Sequence, residues 1–119
     1  MTTKVLIIDD DPAFRALARR LLDGSGFQVV GEAATAAEGS HAAGLLRPDA
    51  ILLDVGLPDR DGVEVAADLA ALPWSPRVLL ASVDPDVTSE QTARGQGACG
   101  FIGKHDLPGA GIDLLAGDG

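Results

Sequence analysis

Five short runs of consecutive aliphatic residues recur along the chain, and they constrain its fold more than any other feature. Because they are nearly continuous instead of alternating with polar residues, they are typical of strands buried on both faces. Stretches of helical periodicity separate them, so strand and helix alternate five times. This order predicts one α/β domain in which helices cover both faces of a parallel sheet. The predicted strands are residues 5–8, 27–30, 50–53, 78–81 and 99–102.

The first helix has the clearest start. Asp11 can cap its N-terminus, and Pro12 suits the first helical position, where no backbone N–H is needed. Asp84 and Pro85 repeat this pair, so we expect the fourth helix to begin there. The apolar face of the first helix comprises Phe14, Leu17, Ala18, Leu21 and Leu22.

Capping boxes mark the starts of the second and third helices. Thr35 precedes Glu38 by three residues and Asp61 precedes Glu64 by the same interval, so each pair can satisfy free N–H groups reciprocally. The last helical segment, residues 107–116, contains two glycines and has weak helix propensity. We therefore expect a short or frayed final helix.

Composition and charge exclude several classes of function. The 119 residues suit one domain, and the apolar runs fall far short of the roughly 20 residues that cross a bilayer. The N-terminus lacks the apolar segment of a secretory signal, so we expect a cytoplasmic protein. With a net charge of −9, the surface should repel nucleic acid and anionic membranes. The single cysteine, Cys99, is predicted to be a small buried residue without a functional role.

Chemically useful side chains follow four of the predicted strands. Asp9 and Asp10 close the first strand, Asp54 the third, Ser82 the fourth and Lys104 the fifth. Because the carboxyl ends of parallel strands meet at one edge of the sheet, where such folds bind ligands, these side chains should lie close together. Taken singly, each could be an ordinary cap, turn or solvated residue. Their conjunction at one edge predicts a site.

The predicted cluster of aspartates requires a cation. Two unit charges about 4 Å apart repel by on the order of 4 kcal/mol at an effective dielectric constant near 20. Carboxylate oxygens and waters suit Mg²⁺, whereas Zn²⁺ prefers histidine and cysteine. The two histidines, His41 and His105, are therefore not expected to bind the metal, and Asp11 is assigned to the helix cap.

Through three segments, the sequence resembles the receiver domain of two-component response regulators over nearly its whole length. The most specific feature is Asp54 at the end of an aliphatic strand, with Pro58 four residues later and Gly62 eight residues later. The resemblance implies a single-domain, doubly wound flavodoxin-like (βα)5 fold with sheet order 2-1-3-4-5. The domain would span residues 1–119, with a core of about 3–117 and no output domain. The segments are residues 5–12, 48–62 and 97–104.

The resemblance also implies a reaction. Asp54 would accept a phosphoryl group from a phosphohistidine on a sensor histidine kinase or a phosphotransfer protein. Asp10 and Asp54 would bind Mg²⁺ directly, Asp9 largely through water, and the backbone carbonyl of Gly56 would complete the protein ligands. The chain would catalyse only its own phosphorylation and dephosphorylation, and would not otherwise be an enzyme.

The same resemblance implies that phosphorylation would change the conformation of the domain. Lys104 would pair with the phosphoryl oxygens and Ser82 would donate its hydroxyl to one of them, which suits a transition state that needs positive charge and positioning. Phe101, three residues before Lys104, would change rotamer as Ser82 moves toward Asp54. The responding surface would be the fourth helix, fifth strand and fifth helix, where partners or a second copy dock.

Two positions depart from the family pattern. His105 follows Lys104, where many receivers have a proline with a cis peptide bond. A cis bond before any other residue costs about 3 kcal/mol, so the geometry of this peptide is left open. Val83 is bulkier than the small residue often found beside the switch serine and is expected to narrow access to the phosphoryl group. These departures support one alternative, a receiver-like interaction module that works without phosphorylation.

Other classes share parts of the pattern. The first and third aspartates also fit the D-x-D motif of haloacid-dehalogenase-type phosphatases, which would make Asp9 the nucleophile, but the chain leaves little room for a cap domain. A flavin-binding flavodoxin needs a hydroxyl-rich phosphate loop, where three aspartates would repel phosphate. Residues 95–100 match a dinucleotide-binding fingerprint but precede a strand, so they are predicted to end a helix and turn. Trp74 is predicted to anchor a loop.

Overall fold

The computed structural model describes residues 2–84 and 86–117 and has the predicted sheet. Its strands are β1 (Lys4–Ile8), β2 (Gln28–Ala33), β3 (Ala50–Asp54), β4 (Arg77–Ser82) and β5 (Gly100–Gly103). All five are parallel, in the order β2-β1-β3-β4-β5, which confirms the expected order 2-1-3-4-5.

Helices cover both faces of the sheet. They are α1 (Pro12–Gly24), α2 (Ala36–Leu46), α3 (Gly62–Ala70), α4 (Glu90–Gly95) and α5 (Ile112–Ala116). Along β1, Val5 and Ile7 face α1 and α5, whereas Leu6 and Ile8 face α2, α3 and α4, and all four side chains are fully buried. Burial on both faces explains why the strands are continuous apolar runs. A 3-10 turn (Lys104–Asp106) and a π-helical turn (Leu107–Gly111) precede α5.

The predicted starts of the first three helices are confirmed. Asp11, Thr35 and Asp61 each accept a hydrogen bond from a backbone N–H of the first turn, at 2.9, 3.1 and 2.9 Å. The Glu38 carboxylate accepts a hydrogen bond from Ala34 N–H at 3.1 Å, one residue before the cap. The three cap bonds satisfy N–H groups that a helix leaves without partners.

The predicted start of the fourth helix at Asp84 is wrong. Asp84 accepts a hydrogen bond from Asp86 N–H at 2.9 Å and so forms a local turn, while Pro85 lies outside the described residues. The helix begins at Glu90, where Ser89 caps it with a first-turn hydrogen bond of 3.0 Å. Aspartate and serine form turns and caps with the same chemistry, so the local pattern could not choose between the two positions.

The structure confirms three smaller expectations. The final helix is short, and residues 95–100 end α4 and turn through Gly97 at a φ of 97°. Trp74 anchors its loop by donating from Nε1 to the carbonyl oxygen of Pro48 at 2.9 Å. Cys99, expected to be buried, is only half-buried, and this burial raises the pKa of its thiol. Over the described ranges, no helix combines the length and apolarity that a membrane span requires.

Candidate functional site

The carboxyl ends of β1 and β3 bring three carboxylates together. One carboxylate oxygen from each of Asp9, Asp10 and Asp54 lies within 4.8 Å of the other two. Asp9 and Asp54 are buried, with 1% and 7% of their surface exposed, whereas Asp10 is open to solvent. The aspartates predicted from the sequence therefore form one cluster at the expected edge of the sheet.

Lys104 reaches this cluster from the end of β5. Its ammonium nitrogen lies 2.6 Å from Asp9 Oδ2 and 3.7 Å from Asp54 Oδ1, and only 12% of its side chain is exposed. This ion pair is the contact of the buried Asp9 Oδ2, which has no further hydrogen-bond partner among the described residues. None of the described peptide bonds is cis, so the Lys104–His105 peptide is trans.

The surroundings of Asp54 disfavour a bare negative charge. Burial raises the pKa of Asp54 above its ordinary value of 3.8, and repulsion from Asp9 adds to this effect. The Lys104 ammonium and a 3.2 Å hydrogen bond from Gly56 N–H to Asp54 Oδ1 lower the pKa but do not outweigh the burial. A further cation would relieve this cost. The donors are carboxylate oxygens of three aspartates within 4.8 Å of one another, and this set fits Mg²⁺.

A close backbone approach at Gly62 holds the turn after β3. Gly62 N–H donates a hydrogen bond to the carbonyl oxygen of Val55 at 2.9 Å. A Cβ on Gly62 would overlap the carbonyl oxygen of Asp54 and lie 2.6 Å from Val55 Cα. The glycine eight residues after Asp54 therefore has a steric cause.

The two expected switch residues lie on neighbouring strands. Ser82 is buried at the end of β4, and its Oγ accepts a hydrogen bond from Asp84 N–H at 3.1 Å. Phe101 on β5 is half-buried against the core that faces α2, α3 and α4. Both side chains are thus positioned by strands that run toward the aspartate cluster.

Sequence reasoning missed the contacts of two residues of the first helix. The Phe14 ring, assigned only to the apolar face of α1, has its centre 4.6 Å from Lys104 Nζ. Arg15 Nη1 donates to the carbonyl oxygen of Asp9 at 2.6 Å, and Arg15 Nε pairs with Glu32 at 3.2 Å. The contacts with Lys104 and Glu32 join residues far apart in the sequence, and no local sequence pattern marks them.

A third missed residue, Asp59, ties the turn after β3 to α2. Its carboxylate accepts hydrogen bonds from Ala36 N–H at 2.8 Å and from Ala37 N–H at 3.0 Å. The bond from Ala36 is the main cause that holds the pKa of Asp59 below its ordinary value of 3.8. The turn that contains Gly56 is thereby attached to a helix N-terminus, which favours a negative charge.

We expect Asp59→Ala to lower the melting temperature by a few degrees at pH 7 and by less in acid. Because the folded-state pKa is depressed, the carboxylate stabilises the fold above its unfolded pKa, near 3.8, and this contribution is lost as the pH falls through the lower folded pKa. Thermal unfolding from about pH 7 to about pH 2 measures the change. Asp23→Ala, which removes another exposed carboxylate, is the control. An equal effect of both variants would show that the hydrogen bonds of Asp59 to the N-terminus of α2 do not stabilise the fold.

The family model of the response regulator receiver domain matches residues 5–110. The chain is 39% identical to BvgA of Bordetella pertussis over 106 residues, which cover 89% of this chain and 51% of BvgA. It is 38% identical to KdpE of Escherichia coli over 103 residues, which cover 86% of this chain and 44% of KdpE. The chain belongs to the response regulator receiver domain family, and it spans about half the length of these curated relatives.

A solved structure agrees with this assignment. The signal receiver domain of NarL from Mycobacterium tuberculosis has a TM-score of 0.82 to this chain at 33% identity, with 98% of each chain covered. The suspected family and the flavodoxin-like fold are therefore confirmed. Receiver domains generally bind Mg²⁺ at a cluster of acidic residues, and this chain has such a cluster in Asp9, Asp10 and Asp54.

Proposed function

We propose that this domain accepts a phosphoryl group on Asp54 within a two-component system, in a reaction that depends on Mg²⁺. The observation that carries the proposal is the joint position of three carboxylates within 4.8 Å and of the Lys104 ammonium, 2.6 Å from Asp9. The donor would be a phosphohistidine on a sensor histidine kinase or a phosphotransfer protein, the kind of partner that response regulators imply.

The metal would be held by four groups. Asp10 and Asp54 would bind Mg²⁺ directly, Asp9 largely through water, and Gly56 through its backbone carbonyl. When bound, Mg²⁺ would offset the carboxylate charge and withdraw charge from the phosphoryl oxygens. The exposure of Asp10 supports this assignment, because it leaves carboxylate oxygens accessible to an ion arriving from solvent.

Asp54 would act as the nucleophile. A bond forms between its carboxylate oxygen and phosphorus while the N–P bond of the phosphohistidine breaks, and the imidazole keeps that electron pair and takes up a proton. Lys104, with its ammonium 3.7 Å from Asp54 Oδ1, would stabilise the charge spread over the phosphoryl oxygens. Ser82 Oγ accepts from Asp84 N–H, so its own proton can be donated to a phosphoryl oxygen.

The signal would leave the site through Ser82 and Phe101. A phosphoryl group adds nearly two negative charges and three acceptor oxygens, enough to draw Ser82 toward Asp54. A rotamer change of Phe101 would carry this movement to the surface formed by α4, β5 and α5, where a partner or a second copy of the chain would dock. A cytoplasmic location and the lack of direct nucleic-acid binding stay predictions.

Phosphorylation mapping tests the proposal. With acetyl phosphate and Mg²⁺, the wild-type chain should be labelled on Asp54 and Asp54→Asn should not be labelled. Asp23→Asn, which neutralises an exposed carboxylate on α1, should label normally. Label on Asp9 would instead support the phosphatase-like alternative, and an unlabelled wild type would support the phosphorylation-independent module. Either result rejects the proposal.

Val83→Ala should speed the labelling of Asp54. Val83 follows Ser82 directly and is 80% exposed, so trimming it opens the approach for a small phosphodonor. We expect an initial rate about two- to fivefold higher, which corresponds to less than about 1 kcal/mol of activation free energy. Val87→Ala, a half-exposed valine in the same connection, is the matched control. Equal or slower labelling of Val83→Ala would show that this side chain does not restrict access.

A further inference from the structure

The ammonium group of Lys104 has an aromatic neighbour that the proposed reaction does not use. The centre of the Phe14 ring lies 4.6 Å from Lys104 Nζ, within the range of a cation–π contact. Only 12% of the Lys104 side chain and 8% of Phe14 are exposed. A cation and a ring attract each other more strongly in such surroundings than at an open surface, because water competes less.

Phe14 is fixed by the same segment that fixes Asp9. It lies in the first turn of α1, whose N-terminus is capped by Asp11, and it packs in the core on the α1 side of the sheet. The next residue, Arg15, donates a hydrogen bond to the carbonyl oxygen of Asp9 at 2.6 Å. The ring and the backbone of Asp9 are therefore held relative to each other, and the Asp9 carboxylate accepts a hydrogen bond from Asp11 N–H at 2.9 Å. Contact with the ring consequently sets where Lys104 Nζ stands within the aspartate cluster.

The ring and the carboxylates differ as partners of Lys104. Asp9 and Asp54 attract the ammonium by their negative charge, at 2.6 and 3.7 Å. The ring attracts it through the negative face of its π system, without accepting a conventional hydrogen bond or cancelling its charge. The ammonium can thus be held in place while its N–H groups remain available to arriving phosphoryl oxygens.

Building on the function proposed above, we propose that Phe14 is a positioning residue whose ring face holds the Lys104 ammonium beside Asp54, where the phosphoryl oxygens arrive. A leucine would fill much of the same core space but has no π face. The role of Phe14 therefore depends on the electron density of its ring in addition to its volume.

Fluorination of the ring separates electron density from volume. Mono-, di- and trifluorophenylalanine at position 14 keep nearly the same size while progressively weakening the negative face. We expect the initial rate of labelling by acetyl phosphate, in saturating Mg²⁺, to fall with each fluorine, by about fivefold in the trifluoro protein. Phe14→Leu should lose about tenfold. The same series at Phe27, which is also 8% exposed in the same core, is the matched control and should leave the rate unchanged.

Proton NMR without Mg²⁺ or phosphodonor gives a second readout. The ring current of Phe14 should shift the Cε protons of Lys104, one of only two lysines in the chain, upfield. The shift should vanish in Phe14→Leu and persist in Phe27→Leu. A flat rate across the fluorinated series in a protein that labels normally, or the absence of the shift, overturns the positioning role alone. A wild type that is not labelled on Asp54 overturns the proposed function as well.

Discussion

Gly62→Ala should lower the free energy of unfolding by about 3 kcal/mol or more. The added methyl group would overlap the carbonyl oxygen of Asp54 and stand 2.6 Å from Val55 Cα. Both are backbone atoms at the end of a central strand, so they cannot rotate away as a flexible side chain could. Their displacement would also break the 2.9 Å hydrogen bond from Gly62 N–H to Val55 and shift Asp54 itself.

Urea unfolding of the two proteins measures this loss, and Gly44→Ala is the matched control. Gly44 lies inside α2, and a Cβ there would meet no atom within 4 Å. Alanine at that position should stabilise the fold by about 0.5–1 kcal/mol, because glycine is a poor helix former. If Gly62→Ala loses less than about 1 kcal/mol, the close backbone approach at Gly62 does not hold this turn in place.

The sheet could be predicted from sequence because its strands are buried on both faces. Val5 and Ile7 pack on one side of β1 and Leu6 and Ile8 on the other, so every position must be apolar. The start of α4 could not be predicted in the same way. Asp84 offers a side-chain oxygen to the local backbone just as a cap does, and only the tertiary structure favours a turn there.

Some residues of the site could likewise be predicted from the sequence, and others could not. Its aspartates and Lys104 were predictable because each ends a strand, and parallel strands end at one edge. Phe14 and Asp59 were missed because their roles arise from contacts with distant elements. Phe14 has the spacing of an ordinary core residue of α1, and Asp59 the composition of an ordinary turn, until Lys104 and the N-terminus of α2 are placed beside them.

Lys104→Met should slow the labelling of Asp54 by about 100-fold or more, since removing one group that stabilises developing charge typically has an effect of this size. Methionine keeps an unbranched, flexible side chain and can still pack against the Phe14 ring. The variant therefore removes mainly the charge. The initial rate with acetyl phosphate in saturating Mg²⁺ measures this loss. Lys4→Met, at the exposed start of β1, changes the chain's other lysine and should label at the wild-type rate.

The same substitution should weaken the metal-free fold by about 3 kcal/mol, because it leaves Asp9 and Asp54 buried without their cation. Mg²⁺ binding should become tighter, since the ammonium, 2.6 Å from Asp9 Oδ2, no longer competes for that oxygen. Added Mg²⁺ should then raise the melting temperature of Lys104→Met by more than that of the wild type.

Lys104→Met should thus lower the labelling rate and raise the affinity for Mg²⁺. A misfolded protein would lose both and could not produce this combination. Slower labelling with tighter Mg²⁺ binding places the ammonium both in the transition state and in competition with the metal. Slower labelling with weaker Mg²⁺ binding would mean that Lys104 holds the carboxylates in place for the ion, and competition would then be the wrong description. Labelling at the wild-type rate would remove Lys104 from the reaction altogether, however close it lies to Asp54.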